Sequence, residues 1–143
     1  MDYAFRWGGD PEDVSMTTSG VGELAEVEAM LRGAVADPRW REGMKVIIDH
    51  TRTDWSATTA AELEAHANWL IHGDLVIGHQ LFAVAVKSPA EYAAERLIGF
   101  RLDRRVPFLV RYFSSHAEAR EWLRRPDYLQ AHVVPGRYRP IST

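Results

Sequence analysis

The sequence predicts a single α/β domain with a mostly parallel central sheet, an N-terminal antiparallel strand pair and about four helices. Short apolar runs rich in β-branched residues alternate along the chain with segments of helical periodicity. Most of the helical segments begin with a capping sequence. The chain has 143 residues, 46% of them hydrophobic, which suits one core. Strands that alternate with helices in this way are typically parallel and joined by right-handed crossovers.

The predicted strands fall into two sets. Residues 3–7 and 14–18 each alternate apolar and polar side chains, and the turn signal Gly8-Gly9-Asp10-Pro11 lies between them, so we expect a hairpin at the sheet edge. Three more continuous apolar runs predict buried parallel strands. They are residues 45–49, 81–86 and 107–113.

The predicted helices cover residues 22–36, 59–72, 89–104 and 115–125. Three of them open with a capping box, in which a hydroxyl accepts a free amide and a glutamate three residues later reaches back. The three caps are Thr59, Ser88 and Ser115, each expected to contribute about 1 kcal/mol. We assign residues 1–125 to the domain and residues 126–143 to a C-terminal tail.

Composition excludes several classes of function. Charged residues make up 26% of the chain and the net charge is −3, which does not favour binding to nucleic acid. No apolar stretch is long enough to span a membrane, and the N-terminal residues lack a signal-peptide pattern, so we expect a cytoplasmic protein. The absence of cysteine excludes disulfides and thiol chemistry. We expect no cofactor.

Polar side chains follow the predicted parallel strands where their carboxyl ends should meet. Asp49, His50, Thr51 and Thr53 come after the first, Ser88 after the second, and Ser115 and His116 after the third. Helix N-termini would face the same edge, an arrangement that suits an anion or a partner. The alternative is purely structural: the two serines only cap their helices, and the aspartate only ties down its loop.

Neither catalysis nor metal binding is indicated. Asp49 and His50 are neighbours in a strand, so their side chains should point to opposite faces and cannot act on each other. His116 is in the first turn of a helix, where we expect it to face water. His66 and His72 are six residues apart and lie on different faces of a helix, so no metal site is expected. The sequence also lacks a Gly-x-Ser-x-Gly elbow, and we expect no enzyme.

Two tryptophans are candidates for a binding surface. Trp55 lies in the polar segment after the first parallel strand, and Trp69 lies beside the apolar face of the 59–72 helix. They could belong to the core, contact a second subunit, or line an apolar groove under that helix.

With this order of elements, the chain resembles the SpoIIAA-like group of STAS domains, which are related in fold to Sec14-type lipid-binding domains. The resemblance rests on Asp37-Pro38-Arg39-Trp40 after the first helix, the strand from Gly43 that ends in Asp49, the Ser88-Pro89 helix start, and the 118–123 helix ending. It implies a small STAS-like domain that binds partners or apolar ligands. In the antagonist members an aspartate–serine pair carries a phosphorylated serine, but here His50 follows the aspartate and Thr51 is the nearest substitute.

The leading expectation is therefore a non-enzymatic binding or regulatory module. It would engage a protein partner through the strand carboxyl edge and the 59–72 helix. That partner could be a second copy of the chain. The alternative is a carrier of a small apolar or amphipathic, lipid-like ligand in a groove near Trp55 and Trp69.

Overall fold

The computed structural model describes residues 1–125, except the side chains of Pro89 and Tyr92. The predicted 126–143 tail lies outside the described residues. The strands are β1 (Asp2–Trp7), β2 (Val14–Val21), β3 (Lys45–Asp54), β4 (Leu81–Ala85) and β5 (Leu109–Phe113). The helices are α1 (Leu24–Ala36), α2 (Ala60–His72), α3 (Pro89–Leu102) and α4 (His116–Leu123).

The strands form one sheet in the order β1-β2-β3-β4-β5. β1 and β2 are antiparallel, and each later strand is parallel to the one before it. The predicted hairpin and the three parallel central strands are thus confirmed. Because each crossover moves one strand in the same direction and is right-handed, α1, α2 and α3 must all lie on one face of the sheet. Of the four helices in residues 1–125, only α4, which follows the last strand, covers the other face.

Two apolar cores result, one on each face. The larger core joins alternate residues of β2–β5 to α1, α2 and α3, with Met16, Met30 and Val46 fully buried. The smaller core packs α4 on the opposite face, where Trp122 meets Phe113. Successive strand residues point to opposite faces, so each parallel strand contributes to both cores. This explains why these strands are continuous apolar runs in the sequence.

The prediction that the central strand ends at Asp49 is wrong, because β3 continues to Asp54. The polar residues 50–54 stay extended since β2 runs on to Val21 and pairs with them. The pairing shifts register between Thr17 and Ser19, an irregularity of the β-bulge kind. Asp49 therefore lies in the middle of a strand, and Thr53 near its end.

All three predicted helix caps form, but only one is a complete capping box. Thr59 accepts from the Glu62 amide, and the Glu62 carboxylate accepts from the Thr59 amide. Ser88 and Ser115 also accept from the amide three residues on. In these two helices the glutamate three residues after the cap accepts a hydrogen bond from another residue, which is Ser114 for Glu118. Glu91 Oε1 accepts from the Trp55 amide at 3.4 Å, which draws the segment after β3 toward α3.

Candidate functional site

The sheet divides the predicted site residues into two groups. Neighbouring residues of β3 point to opposite faces of the sheet. Asp49 therefore forms a hydrogen bond with His116 of α4 on one face, whereas His50 forms one with Thr18 of β2 on the other. As predicted, these two side chains point to opposite faces, and each forms a hydrogen bond with a different element. The caps separate in the same way, because Ser88 begins α3 and Ser115 begins α4. The predicted residues thus lie in two places and form no single edge site.

On the α4 face, Asp49 is the centre of a hydrogen-bonded group. Its Oδ2 accepts from His116 Nδ1 at 3.0 Å, and its Oδ1 accepts from the Thr51 amide at 2.9 Å and hydroxyl at 2.6 Å. Burial alone would raise the pKa of Asp49, but the bonds from Thr51 and His116 outweigh it and lower that pKa. The expectation that His116 faces water is wrong in part: its side chain is 41% exposed, yet it is held by Asp49.

Sequence reasoning missed a second acid beside this group. Glu12 lies in the β1–β2 turn and is only 7% exposed. Its carboxylate lies 3.5 Å from Arg120 Nε and 4.0 Å from His116 Nε2. Arg120 also donates to the carbonyl of Asp10. The pattern of residues 8–13 indicates only a turn, and the contact with α4 arises from tertiary packing across about a hundred residues.

On the other face, His50 takes part in a buried network. Its Nδ1 lies 2.6 Å from the Thr18 hydroxyl, which lies 2.5 Å from the Thr53 hydroxyl. The imidazole meets the Trp55 ring edge-on, with 5.1 Å between ring centroids. Burial lowers the pKa of His50 to about 4, so the ring is neutral at pH 7. Thr18 had no signal in the sequence beyond its place in an alternating strand.

His50 and Trp55 line a cavity between the sheet and the helices. Its volume is about 60 Å³, and most of its wall is apolar, from residues such as Ile98 and Phe108. A few groups in the wall can form hydrogen bonds, among them His66 and Glu95. We call this space the inner cavity.

A larger cleft opens beside the inner cavity, between the segment after β3 and the first turns of α3. It has a volume of about 380 Å³ and shares Trp55 and Glu95 with the inner cavity. Its other lining residues are Asp54, Ser56, Thr58, Leu63, Lys87, Ser88, Ala90, Glu91 and Ala94. We call it the α2–α3 cleft. The indole of Trp55 lies directly over Gly22, where any Cβ atom would overlap the ring.

The polar groups of the cleft are incompletely paired. Trp55 Nε1 and Glu91 Oε2 are buried and have no hydrogen-bond partner among the described side chains. Burial, together with the neighbouring charge of Glu91, raises the pKa of Glu95 to about 7. Hydrogen bonds from Ser56 lower the pKa of Asp54, and the nearby charge of Lys87 lowers it further. Unpaired buried polar atoms are uncommon in proteins and call for an explanation.

Trp69 does not accompany Trp55. Its ring stacks on His66, with centroids 6.0 Å apart, and Arg32 lies over it at 5.4 Å. His66 in turn lies 3.0 Å from Glu28 of α1. Trp69 therefore belongs to the contact between α1 and α2 and lines neither the inner cavity nor the cleft. The structure thus does not bring Trp69 and Trp55 to the same wall of either space, because the helical periodicity places Trp69 toward α1.

Within residues 1–125 no group of three or more His, Asp or Glu side chains is arranged to hold a metal ion. Over the same residues, no helix combines the length and the apolar character that crossing a membrane would require.

The chain is similar in structure to an uncharacterized protein of the DUF3478 family from Shewanella loihica PV-4, which has a SpoIIAA-like fold. The TM-score is 0.50 and the sequence identity 15%, and the match covers 85% of this chain and 92% of that one. No family model and no curated protein matches the sequence. At this identity the likeness establishes the fold.

Proposed function

We propose that this domain, with its SpoIIAA-like fold, is a non-enzymatic binding module whose α2–α3 cleft holds a small amphipathic ligand. One observation carries the proposal: a cleft of about 380 Å³ shares Trp55 and Glu95 with an apolar inner cavity. Binding sites for small molecules combine an apolar wall with a few polar groups that fix orientation. Here the apolar part of a ligand would enter the inner cavity, and its polar end would stay in the cleft.

The unpaired atoms support the same proposal. Trp55 and Glu91 both line the cleft, and Trp55 Nε1 and Glu91 Oε2 are buried with no partner among the described side chains. A buried polar atom without a partner costs about 1–3 kcal/mol, and a ligand that pairs with it recovers part of that free energy. Glu91 is also tied to the backbone of Trp55, so the two sides of the cleft entrance are held together in the absence of a ligand.

The test is a cleft-blocking variant with a matched control. Ala94 lines the cleft, whereas its neighbour Ala93 is exposed on the same helix. Native mass spectrometry of protein from its own cells should show a retained small molecule in the wild type and in Ala93→Trp, and none in Ala94→Trp. Retention of the same mass by Ala94→Trp, with an unchanged melting temperature, would contradict the proposal.

A protein partner is the second candidate, and a different surface favours it. Leu97 and Phe100 on α3 are 65% and 53% exposed. They border a shallow groove of about 330 Å³ whose other side is α2, with Ala60 and Leu63. Exposed apolar patches of this kind mark interaction sites. If a second copy of the chain covers this patch, Phe100→Glu should reduce the mass measured by light scattering, whereas Ala94→Trp should leave it unchanged.

The absence of catalytic activity is part of the proposal. Asp49 and His116 have the relation of an orienting acid and a base. Among the described residues the pair has no nucleophile beside it: the nearby Thr51 hydroxyl donates to Asp49, and His116 Nε2 lies 4.0 Å from the Glu12 carboxylate. A base without an acceptable nucleophile gives little rate enhancement. An esterase and phosphatase screen should find no turnover that is lost in His116→Ala.

A further inference from the structure

We propose that the polar end of the ligand in the α2–α3 cleft is an ammonium group, which pairs with the carboxylates of Glu91 and Glu95. The inference rests on the proposed function and specifies the chemical class of the ligand. The observation behind it is the imbalance of charge in the cleft wall, together with a buried glutamate oxygen that lacks a partner.

The charges of the cleft do not cancel. Asp54, Glu91 and Glu95 are its acids, and Lys87 is the one cation among its described lining residues. Lys87 acts on Asp54, whose pKa it helps to lower. No ion pair to Glu91 or Glu95 is present among the described side chains of residues 1–125. The two glutamates, one helical turn apart on α3, thus form an uncompensated pair.

The glutamates are also placed where a cation would gain most. Glu91 Oε2 is buried and unpartnered, while Oε1 is already used by the Trp55 amide. Burial and the repulsion from Glu91 raise the pKa of Glu95, so a negative charge is disfavoured there unless a positive group arrives. An ammonium has three N–H donors and no acceptor, which matches two carboxylates side by side. A carboxylate or phosphate end would add to the repulsion.

The inner cavity limits the size and the polarity of the rest of the ligand. Glu95 stands at the junction of the cleft and the cavity, so an ammonium at the glutamates places the adjoining carbons toward an apolar wall. At about 60 Å³ the cavity accepts a short alkyl or ring portion, and the remainder must lie in the cleft along Leu63 and Ala94. A short-chain alkylamine meets both requirements.

The test uses three probes of equal chain length, each below its micelle concentration. We expect isothermal titration calorimetry at pH 7.5 to give octylamine an affinity at least tenfold higher than that of 1-octanol, with octanoate the weakest. If 1-octanol or octanoate binds as tightly as octylamine, the inference is overturned and the proposed function stands. If none of the three binds, both fail.

Isosteric variants show whether the glutamates are responsible. Glu91→Gln and Glu95→Gln should each lower the affinity for octylamine at least tenfold and leave that for 1-octanol within twofold. Glu121→Gln, at an exposed position on α4, serves as the matched control and should change neither. Melting temperatures within a few degrees of the wild type would show that the variants are folded. Unchanged octylamine affinity in both Glu91→Gln and Glu95→Gln would overturn the inference.

Discussion

Within residues 1–125, α4 is the one helix that packs against β3, β4 and β5 on one face of the sheet, while on the other face α1, α2 and α3 share the covering of four strands. α4 brings the small Ala119 and the large Trp122 to the same contact, and both are buried. A cleft of about 230 Å³ lies beside this contact, lined by residues such as Phe113, Glu118 and Trp122. Three helices must also meet one another, and the inner cavity lies where they do so above His50 and Trp55.

The pairing of the polar side chains also differs between the two faces. On the α4 face, Asp49, His116 and Glu12 are paired with one another or with Arg120. On the three-helix face, Glu91 Oε2 and Trp55 Nε1 are buried without partners among the described side chains. Polar residues at the carboxyl ends of parallel strands are therefore not by themselves a binding site. On the three-helix face the two unpaired atoms belong to residues that line the cleft beside the apolar inner cavity, which is why we place the binding function there.

The largest expected effect is on the α4 face. Trp122→Ala removes a side chain that is 2% exposed and packed on Phe113. We expect the free energy of unfolding to fall by about 3–5 kcal/mol, because removing the indole leaves a cavity in the smaller core. Urea unfolding followed by circular dichroism measures this. A loss below 1 kcal/mol would show that Trp122 contributes little to this core.

The second prediction concerns pH and the three-helix face. The folded pKa of His50 is about 4, below its ordinary value of 6.5, so the unfolded chain binds the extra proton first as pH falls. The contribution of the neutral His50 ring to the free energy of unfolding is therefore complete above pH 6.5. It is lost progressively toward pH 4, by about 3 kcal/mol in total. Unfolding free energies of wild type and His50→Gln between pH 7 and pH 4 test this.

The difference between the pH dependences of the two unfolding free energies isolates the contribution of His50, because other buried groups titrate in both proteins. His66 also has a pKa lowered by burial and contributes a slope of the same sign in each. The wild type should lose more stability than His50→Gln on acidification. Parallel curves would mean that the pKa of His50 is not lowered in the folded state, contrary to its burial.

The third prediction compares neighbours in β4 that point to opposite faces. Val84 lines the inner cavity, whereas Ala83 is fully buried under α4. Val84→Ile should stabilise by up to about 0.8 kcal/mol, because the added carbon has space to enter. Ala83→Val should destabilise by about 1–3 kcal/mol through overpacking. Chemical denaturation should give changes of opposite sign in the free energy of unfolding of the two variants. Changes of the same sign would contradict the difference between the two faces.

One further effect should be the same on both faces. Ser88→Ala and Ser115→Ala each remove one cap bond to a helix amide, at a cost of about 1 kcal/mol. Thermal unfolding should show similar shifts for the two variants. Ser88 also lines the cleft, so octylamine titration of Ser88→Ala is informative. A loss of binding without a loss of stability would make Ser88 a ligand contact and not only a cap.

Local patterns were sufficient for most of the elements. The turn at Gly8–Pro11, the caps at Thr59, Ser88 and Ser115 and the apolar runs each report on a few neighbouring residues, and the structure contains all of them. The end of β3 was mispredicted because Asp49–Asp54 is polar and is held extended by β2, a partner that is thirty residues distant in sequence.

The site was less predictable for a related reason. Trp55 and Ser88 were expected at a site and line the cleft, but Glu91 and Glu95 were expected only as helix residues. Their importance depends on lying opposite Trp55 with no ion pair to a described side chain, and a single sequence does not show which side chains meet in the fold. Glu12 and Thr18 were missed for the same reason, since their partners come from α4 and β3.

By itself, the sequence determined the order of strands and helices, the parallel pairing of the central strands and the helix caps. These depend on periodicity, capping chemistry and the handedness of crossovers, which act over short stretches of chain. Only the tertiary structure decided which polar residues meet. A strand sends adjacent side chains to opposite faces, so Asp49 and His50 belong to different environments although they are neighbours in the chain.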